Sequence, residues 1–269
     1  MNVLIRDFHG VKEKILCSAT DAEVLPSFLH LQNLQTLSFL SQSEDASNAA
    51  LEIKQVQSPE KDKLQTLFQF LCFANNKPCI VFCNHREAVE RIAKRLSVVG
   101  LKTSVYHGGM EQRERETELC MFINGTHTIL VTTDLASRGL DIVGIRYIVH
   151  YHLPLNEESF THRNGRTARM HDFGTAIFLL SADEKLPTYI QEEIEVISLK
   201  EDYPLPAKTQ WTTLRVALGK KDKVNKVDLL GFFAQRGDLK KDDIGLIDVK
   251  DFYSFIAIRK SKVSDVLRL

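Results

Sequence analysis

The chain has 269 residues, of which 43% are hydrophobic and 26% are charged, and its formal net charge is zero. This length predicts about two domains, and the composition excludes a collagenous, low-complexity or disordered chain. No apolar run reaches the roughly 18–20 residues that a membrane span needs, and the first residues lack the apolar core of a signal peptide. The five cysteines form no C-x-x-C pair. We therefore expect neither a disulfide framework nor a zinc site, and the pattern indicates a reducing cytoplasm.

Residues 1–44 have two strand-like runs, 15-ILCSAT-20 and 36-TLSFL-40, on either side of a short helix at about residues 22–30. This segment reads as the last part of another domain. The polar stretch 41-SQSEDASNAA-50 then predicts a linker.

Residues 45–200 alternate between strand and helix. Apolar runs rich in β-branched and aromatic residues predict strands at residues 51–56, 79–83, 103–106, 128–132, 147–151 and 175–180. A helix is predicted to begin at Ser58-Pro59-Glu60, with Ser58 as its N-cap, and others at about residues 86–98 and 111–123. This pattern predicts an α/β fold in which helices cover both faces of a parallel sheet. Ligands of such sheets bind at the carboxyl ends of the strands.

Residues 207–269 follow a Pro-containing boundary and predict a small α+β module. We expect strands at residues 212–218, 244–249 and 252–258, a helix near residues 226–235 and another helix from about Ser261. The segment has fourteen Lys and Arg against eight Asp and Glu and is +6, whereas the preceding 206 residues are −6. This asymmetry is a weak indication of an anionic partner, because a solvated basic face is the commoner explanation.

Arginines repeat at every third residue in 162-HRNGRTARM-170. A helix would place Arg163, Arg166 and Arg169 on one face. Three guanidinium groups in a row repel one another unless an anion faces them, and the planar guanidinium fork suits phosphate. The alternative is a solvated basic stripe.

Three further motifs place polar or small residues directly after predicted strands: 81-VFCNHRE-87, 106-YHGGMEQRERE-116 and 131-VTTDLASRGLDI-142. Gly108-Gly109 and the small residues after the strand at 128–132 allow a phosphate or sugar to approach the backbone closely. Helix N-termini at these positions offer free N–H donors to anions. Ordinary strand-end turns are the alternative interpretation.

Together with 18-SAT-20, these motifs resemble the C-terminal half of a DEAD-box RNA helicase of superfamily 2, over about residues 1–198. The tail resembles the RNA-binding domain of DbpA-like bacterial helicases, an RRM-like βαββαβ module. The resemblance implies the end of a first RecA-like domain in residues 1–44, a C-terminal RecA-like domain in residues 45–200 and an RRM-fold domain in residues 207–269 that stops before its last strand. The chain has no G-x-x-x-x-G-K-[ST] loop and no D-E-A-D. We therefore expect a fragment of a longer protein that is inactive by itself.

The resemblance also implies roles for individual residues. Arg166 and Arg169 match the catalytic arginine fingers that contact the γ-phosphate of ATP, and Asp141 matches the aspartate that binds the ribose; Mg²⁺ would be held mainly by the first domain. Ser18, Thr20, His162 and Arg163 match residues that couple the two core domains. The residues that match motifs lining the RNA backbone groove are Asn84, Arg86, Gly108, Gln112, Arg115, Thr133 and Asp134. Asn164 and Ala168 depart from the family's usual H-R-I-G-R-T-G-R.

In the tail, basic side chains are the candidates for contact with the RNA backbone: Lys220, Lys221, Lys223, Lys226, Arg259, Lys260 and Lys262. Phe252, Tyr253 and Phe255 could stack on bases, but aromatic residues of a β-hairpin more often pack in a core. His150 and His152 lie on one side of a strand end without a third metal ligand.

The preferred interpretation is the C-terminal part of an ATP-dependent RNA helicase that remodels structured RNA. A role on ribosomal RNA in ribosome assembly follows from the resemblance of the tail alone. One alternative is a non-enzymatic RNA-binding protein, and another is a DNA-directed superfamily 2 translocase. A phosphate loop and a D-E-A-D motif encoded in frame upstream would separate the enzyme from the first alternative.

Overall fold

The computed structural model describes Gln35 and residues 51–137, 142–165, 174–191 and 193–268. Apart from Gln35, all of these belong to one compact unit, Ala50–Leu269. The strands, helix and linker predicted in residues 1–50 lie outside the described residues.

A parallel sheet forms the larger part of this unit. Its strands are β1 (Leu51–Gln57), β2 (Cys79–Phe82), β3 (Ser104–Tyr106), β4 (Ile129–Thr132), β5 (Tyr147–His150), β6 (Gly174–Leu180) and β7 (Glu195–Val196). They are arranged in the order β3-β4-β2-β5-β6-β1-β7, and every neighbouring pair is parallel. The six predicted strands are all present. Strands β2, β4, β5 and β6 are buried along their whole length, which explains why they read as uninterrupted apolar runs.

Helices cover both faces of this sheet, as the sequence predicts. They are α1 (Leu64–Ala74), α2 (Arg86–Val98), α3 (Gln112–Ile123) and α4 (Glu157–Asn164). Leu67 and Phe70 of α1 pack with Val81 on one face, and Phe122 of α3 packs with Ile80 on the other. The predicted α/β fold, with helices on both faces of a parallel sheet, is thereby confirmed.

The predicted start of the first helix is wrong by about six residues, because α1 begins at Leu64 and not near Ser58. The backbone N–H of Ser58 donates to the carbonyl of Leu180 at 2.7 Å and so extends the pairing of β1 with β6. The Ser58 hydroxyl accepts a hydrogen bond from Thr66 at 2.9 Å, within α1. Ser58 therefore anchors the connection between strand and helix and does not cap the helix.

A three-stranded antiparallel sheet forms the smaller part. Its elements in chain order are β8 (Trp211–Val216), α5 (Lys226–Arg236), β9 (Ile244–Val249), β10 (Ser254–Arg259) and the short α6 (Val263–Val266). Strand β10 lies between β8 and β9. One face packs against the helices, where Ile256 and Ile258 contact the cluster of Leu229, Phe233 and Val266. This β-α-β-β-α order agrees with the predicted elements of the tail.

The cysteines of the described part, Cys72, Cys79, Cys83 and Cys120, are buried and have free thiols. Burial raises the pKa of Cys83 to about 12, so this thiol remains protonated at neutral pH. Among the described residues no group of three His, Cys, Asp or Glu is placed to hold a metal ion. No helix in the described part of the chain is both long enough and apolar enough to cross a membrane.

Candidate nucleic-acid interface

Most of the residues that match RNA-lining motifs lie along one edge of the parallel sheet. Asn84 and Arg86 follow β2, Gly108 follows β3, and Thr133 and Asp134 follow β4. Strands β3, β4 and β2 are neighbours in that order, so their carboxyl ends place these residues side by side. The structure therefore brings together groups that are up to 50 residues apart in the sequence.

Arg163 of α4 joins the ends of three strands at this edge. Its side chain is completely buried, and its Nε donates to a carboxylate oxygen of Asp134. Its two terminal nitrogens donate to the carbonyl of His152 at 2.8 Å and to Oδ1 of Asn84 at 2.9 Å. The guanidinium lies over the ring of Phe82, 5.2 Å from the centroid. The five donors of a guanidinium suit such a junction, because hydrogen bonds to charged groups are about twice as strong as neutral ones.

The placement of Arg163 differs from the anion-facing row of arginines that the spacing indicated. A guanidinium that is buried and paired with Asp134 is not free to face an external anion. Helix α4 ends at Asn164, and the other two arginines of the row, Arg166 and Arg169, lie outside the described residues. The structure thus indicates that Arg163 positions Asn84 and Asp134. Its assignment to domain coupling remains a prediction.

His150 and His152, at the end of β5, both make contacts that stabilise the structure around Asn84 and Asn164. His150 is fully buried and stacks against Phe178, with centroids 4.9 Å apart. Burial, helped by the nearby Arg163 charge, lowers the pKa of His150 to about 3. Its Nε2 lies 3.3 Å from Oδ1 of Asn164, so the departure from the family's isoleucine at this position supplies an acceptor for a buried imidazole. Nδ1 of His152 accepts the N–H of Asn84 at 3.1 Å.

The segment after β3 is shaped by His107, which is buried and accepts the N–H of Gly109 on Nδ1 at 3.2 Å. A side chain on Gly108 would meet no atom within 4 Å, which leaves its backbone open to a ligand. Arg86 is exposed and pairs with its neighbour Glu87 at 2.9 Å. Such an exposed pair contributes little to stability, so Arg86 can exchange it for a phosphate.

Gln112 and Arg115 lie in the first turns of α3. Oε1 of Gln112 accepts from Arg115 at 2.8 Å, and its amide donates to Glu116 at 2.8 Å. The Arg115 Nε is buried without a hydrogen-bond partner in the described structure. Gln112 and Arg115 therefore share one local network at the start of the helix.

The sequence analysis missed a polar cluster beside this edge. Lys63 is 4% exposed and pairs with Glu184 at 2.6 Å, and burial lowers the pKa of its ammonium although Glu184 opposes this effect. Tyr151 donates to Asp62, which also binds Arg91 at 2.8 Å. These residues line a cavity of about 610 Å³ that also includes His152. The residues are far apart in sequence and match no motif, so only the fold reveals them.

Several predicted site residues cannot be placed. Arg166, Arg169, Asp141, Ser18 and Thr20 lie outside the described residues. Among the domain-coupling candidates, His162 is described, and its Nε2 lies 3.3 Å from a carboxylate oxygen of Glu158. The roles of all five undescribed residues therefore remain predictions.

The lysines of the tail lie on a loop held tightly at its base. Lys220, Lys221 and Lys223 are exposed and follow Gly219, where an added Cβ would come within 2.5 Å of two backbone oxygens. The N–H groups of Lys220 and Lys221 each donate at 2.8 Å to the segment between β9 and β10. Asn225 then caps α5 by accepting two backbone N–H groups, just before the exposed Lys226. The fold thus presents these four lysines together to solvent.

Other candidates in the tail are already engaged inside the module. The Arg259 guanidinium lies 5.1 Å from the centre of the Trp211 ring and donates to the Asp242 carbonyl at 3.0 Å. The prediction that the aromatic residues pack in a core is confirmed for Phe255, which is 1% exposed, and wrong for Phe252, which is 68% exposed. Arg259 is therefore less available to RNA than the loop lysines.

The sheet of the module rests against the end of α3. Thr213 of β8 contacts the side chains of Asn124 at 3.2 Å and Thr126 at 2.8 Å. The Tyr253 hydroxyl donates to Glu116 at 2.6 Å, and its ring lies beside Arg113 and Arg215. Trp211 lies against Gly125, where an added Cβ would be 3.6 Å from the ring. The hydroxyl-rich turn after α3 and the aromatic residues of the module therefore form a polar contact.

Two family models match the chain. The helicase conserved C-terminal domain matches residues 62–171, and the DbpA RNA binding domain matches residues 213–269. The ATP-dependent RNA helicase DbpA of Bacillus subtilis is 31% identical over all of this chain and 62% of its own length. The protein of the same name from Escherichia coli is 32% identical over 96% of the chain and 58% of its own length. The chain therefore spans about 60% of the length of these relatives.

Solved structures show a similar fold. The Escherichia coli DEAD-box protein SrmB, bound to regulator of ribonuclease activity A, matches 56% of this chain and 91% of its own, with a TM-score of 0.50 and 28% identity. Saccharomyces cerevisiae Dbp5, bound to RNA and ADP BeF3, matches 67% of this chain and 50% of its own, with a TM-score of 0.57. At 24% identity the second likeness supports the fold alone.

Proposed function

Since the chain belongs to the DEAD-box RNA helicases and carries a DbpA RNA binding domain, we propose that it forms the C-terminal part of an ATP-dependent helicase that remodels structured RNA. The observation that carries this proposal is the row of motif residues at the carboxyl ends of β3, β4 and β2. This edge is where ligands of parallel α/β sheets bind.

The contacts that this row offers suit an RNA backbone. Arg86 supplies an exposed cation, Gly108 an open backbone and Thr133 a hydroxyl, whereas Arg163 holds Asn84 and Asp134 in place from within. Phosphate and 2′-OH contacts of this kind position RNA without reading its sequence. Lys220, Lys221, Lys223 and Lys226 would add a second set of phosphate contacts on the tail.

The finer parts of the proposal rest on the sequence. Arg166, Arg169 and Asp141 would contact ATP, and Mg²⁺ would be held by a separate first domain. We assign structured ribosomal RNA as the substrate from the resemblance of the tail, and the cytoplasm as the compartment from the five cysteines without a C-x-x-C pair. Residues 1–44, 45–200 and 207–269 are the domains to which we assign these roles.

A chimera tests this function. In this chimera, the N-terminal part of the Bacillus subtilis relative, which has no counterpart in this chain, would precede the 269 residues. ATP hydrolysis and duplex separation would be measured with and without RNA. We expect RNA-stimulated hydrolysis and unwinding by the chimera, and neither by its two parts alone. A chimera that binds RNA tightly but never hydrolyses ATP would favour a non-enzymatic RNA-binding protein.

A DNA duplex of the same sequence distinguishes the RNA helicase from the remaining alternative, a DNA-directed translocase. The proposed contacts include the 2′-OH, so DNA should stimulate the chimera at least several-fold less than RNA of the same sequence. Equal stimulation by DNA would favour a DNA-directed translocase.

A further inference from the structure

A second basic site lies on the opposite edge of the parallel sheet. A cleft of about 320 Å³ is lined by residues that precede β2, β3 and β4, by residues 206–209 and by Lys260 of the module. These strands begin at the cleft and end at the row of motif residues described above. The volume is at the lower end of the usual range for ligand sites, about 300–1,000 Å³.

The charges around the cleft have one sign. Lys102, Lys208 and Lys260 line it together with His127, and no acidic residue is among the described residues of the lining. Burial lowers the pKa of Lys260, and the charges of Lys102 and Lys208 lower it further. The pKa of His127 is lowered by burial and then by Lys102 and Lys260. The charges of Lys102 and Lys208 therefore disfavour the charged form of Lys260, and an anion between them would relieve this effect.

Hydrogen bonds fix the walls of this cleft. Asn76 donates to the carbonyl of Ala207 at 2.5 Å, and the Thr209 hydroxyl donates to the carbonyl of Thr126 at 2.9 Å. The Lys260 ammonium donates to the same Thr209 hydroxyl at 2.8 Å, which directs it along the wall. The lysines therefore come from three separate segments that the fold holds together.

We propose that this cleft binds a phosphodiester of RNA, as an anchor at the amino ends of the strands and separate from the groove at their carboxyl ends. The inference rests on the proposed function, because RNA is the polyanion expected at the junction of the helicase domain and the RNA binding domain. An anchored phosphate would bridge Lys102 of one domain and Lys260 of the other.

The test uses the whole 269-residue chain and a hairpin RNA with a single-stranded extension. Dissociation constants would be measured by fluorescence anisotropy at four potassium chloride concentrations. The triple variant Lys102→Gln, Lys208→Gln, Lys260→Gln should bind about tenfold more weakly at 0.1 M salt. The slope of log K against log salt should become less negative by about 0.7 for each lost phosphate contact.

A matched variant controls for net charge. Lys94, Lys185 and Lys200 are exposed and lie outside both proposed sites, so their triple change to Gln removes the same charge. We expect this control to bind within about twofold of wild type. The triple change of the cleft lysines to Arg should restore binding, because charge and donors are retained. Circular dichroism would confirm that all variants are folded.

The outcomes separate the two proposals. The cleft is not an RNA site if the wild-type chain and the cleft Gln variant bind RNA equally well. The same conclusion follows if the cleft variant and the control variant weaken binding equally. In both cases the proposed function stands. If the wild-type chain does not bind RNA, both proposals are wrong. A pyrophosphate titration that shifts the His127 resonances without any RNA binding would identify a site for a free anion instead.

Discussion

Removing the carboxylate of Asp134 should destabilise the protein far more than removing an ordinary carboxylate from the turn after a strand. Asp134→Ala would leave Arg163 completely buried with only two neutral acceptors, the Asn84 amide oxygen and the His152 carbonyl. Breaking a buried ion pair from one side costs about 3–5 kcal/mol. Because 42% of the Asp134 side chain is exposed and water can enter its place, we expect a cost below this range, about 2–3 kcal/mol.

Urea unfolding of the 269-residue chain at pH 7.5, followed by ellipticity, would measure this loss. The matched control is Asp183→Ala, which removes a carboxylate that is 74% exposed and 3.9 Å from Lys61. We expect the control to change the free energy of unfolding by about 0.5 kcal/mol or less. In an Arg163→Met background, Asp134→Ala should also cost about 0.5 kcal/mol or less, since no buried cation remains. Equal costs of Asp134→Ala in the two backgrounds would refute the reasoning.

The remaining predictions concern activity, binding and pH. The 269-residue chain alone should not hydrolyse ATP, because it contains no phosphate loop; RNA-stimulated release of phosphate above a mock preparation would contradict this. In the chimera, Arg166→Ala or Arg169→Ala should lower turnover by about 10³–10⁵ with a much smaller effect on nucleotide binding, and turnover within a few-fold of the parent chimera would exclude the arginine-finger role. Changing Lys220, Lys221 and Lys223 to Gln should weaken RNA binding and flatten its salt dependence in a filter-binding titration, whereas an unchanged slope would show that the loop is only a solvated surface. The pKa of His150 is about 3 in the folded protein and near 6.5 in a model peptide, so the unfolded state binds more protons between these two pH values. The free energy of unfolding should therefore fall as pH decreases below about 6.5, by at most about 1.4 kcal/mol per pH unit. His150→Phe should remove this part of the acid sensitivity in urea titrations from pH 7.5 to 4.5, and an unchanged pH profile would mean that His150 is not the group responsible.

The sheet could be predicted well from the sequence because its central strands are buried on both faces. A strand such as β2 must be apolar at every position, because both of its faces are buried. One short apolar run therefore predicts both the limits of the strand and its place in a parallel sheet. The polar residues after β2, β3 and β4 then had to share an edge, which is why the motif residues could be placed before the fold was known.

Side-chain pairing could not be predicted in the same way. The three-residue spacing of the arginines is the same whether Arg163 faces an anion or points into the protein. Its inward orientation depends on Asp134, which is 29 residues away in the sequence. Ser58 has the local character of a helix cap, but its N–H donates to the carbonyl of Leu180 and so keeps it paired with a strand that is distant in the sequence. Likewise Phe255 is buried and Phe252 is exposed although they are three residues apart, because Phe255 lies within the central strand β10 and Phe252 lies in the segment before it.

The single tryptophan of the chain lies at the contact between the small module and the turn after α3. Trp211 is half-buried, with Gly125 on one side and the Arg259 guanidinium 5.1 Å from its ring centre. Its emission spectrum therefore reports whether the module remains docked on α3, without any label. Separation of the two parts would expose the indole to water and shift its fluorescence to longer wavelength. The chain thus contains an intrinsic optical probe, with which docking can be followed in real time as RNA is added.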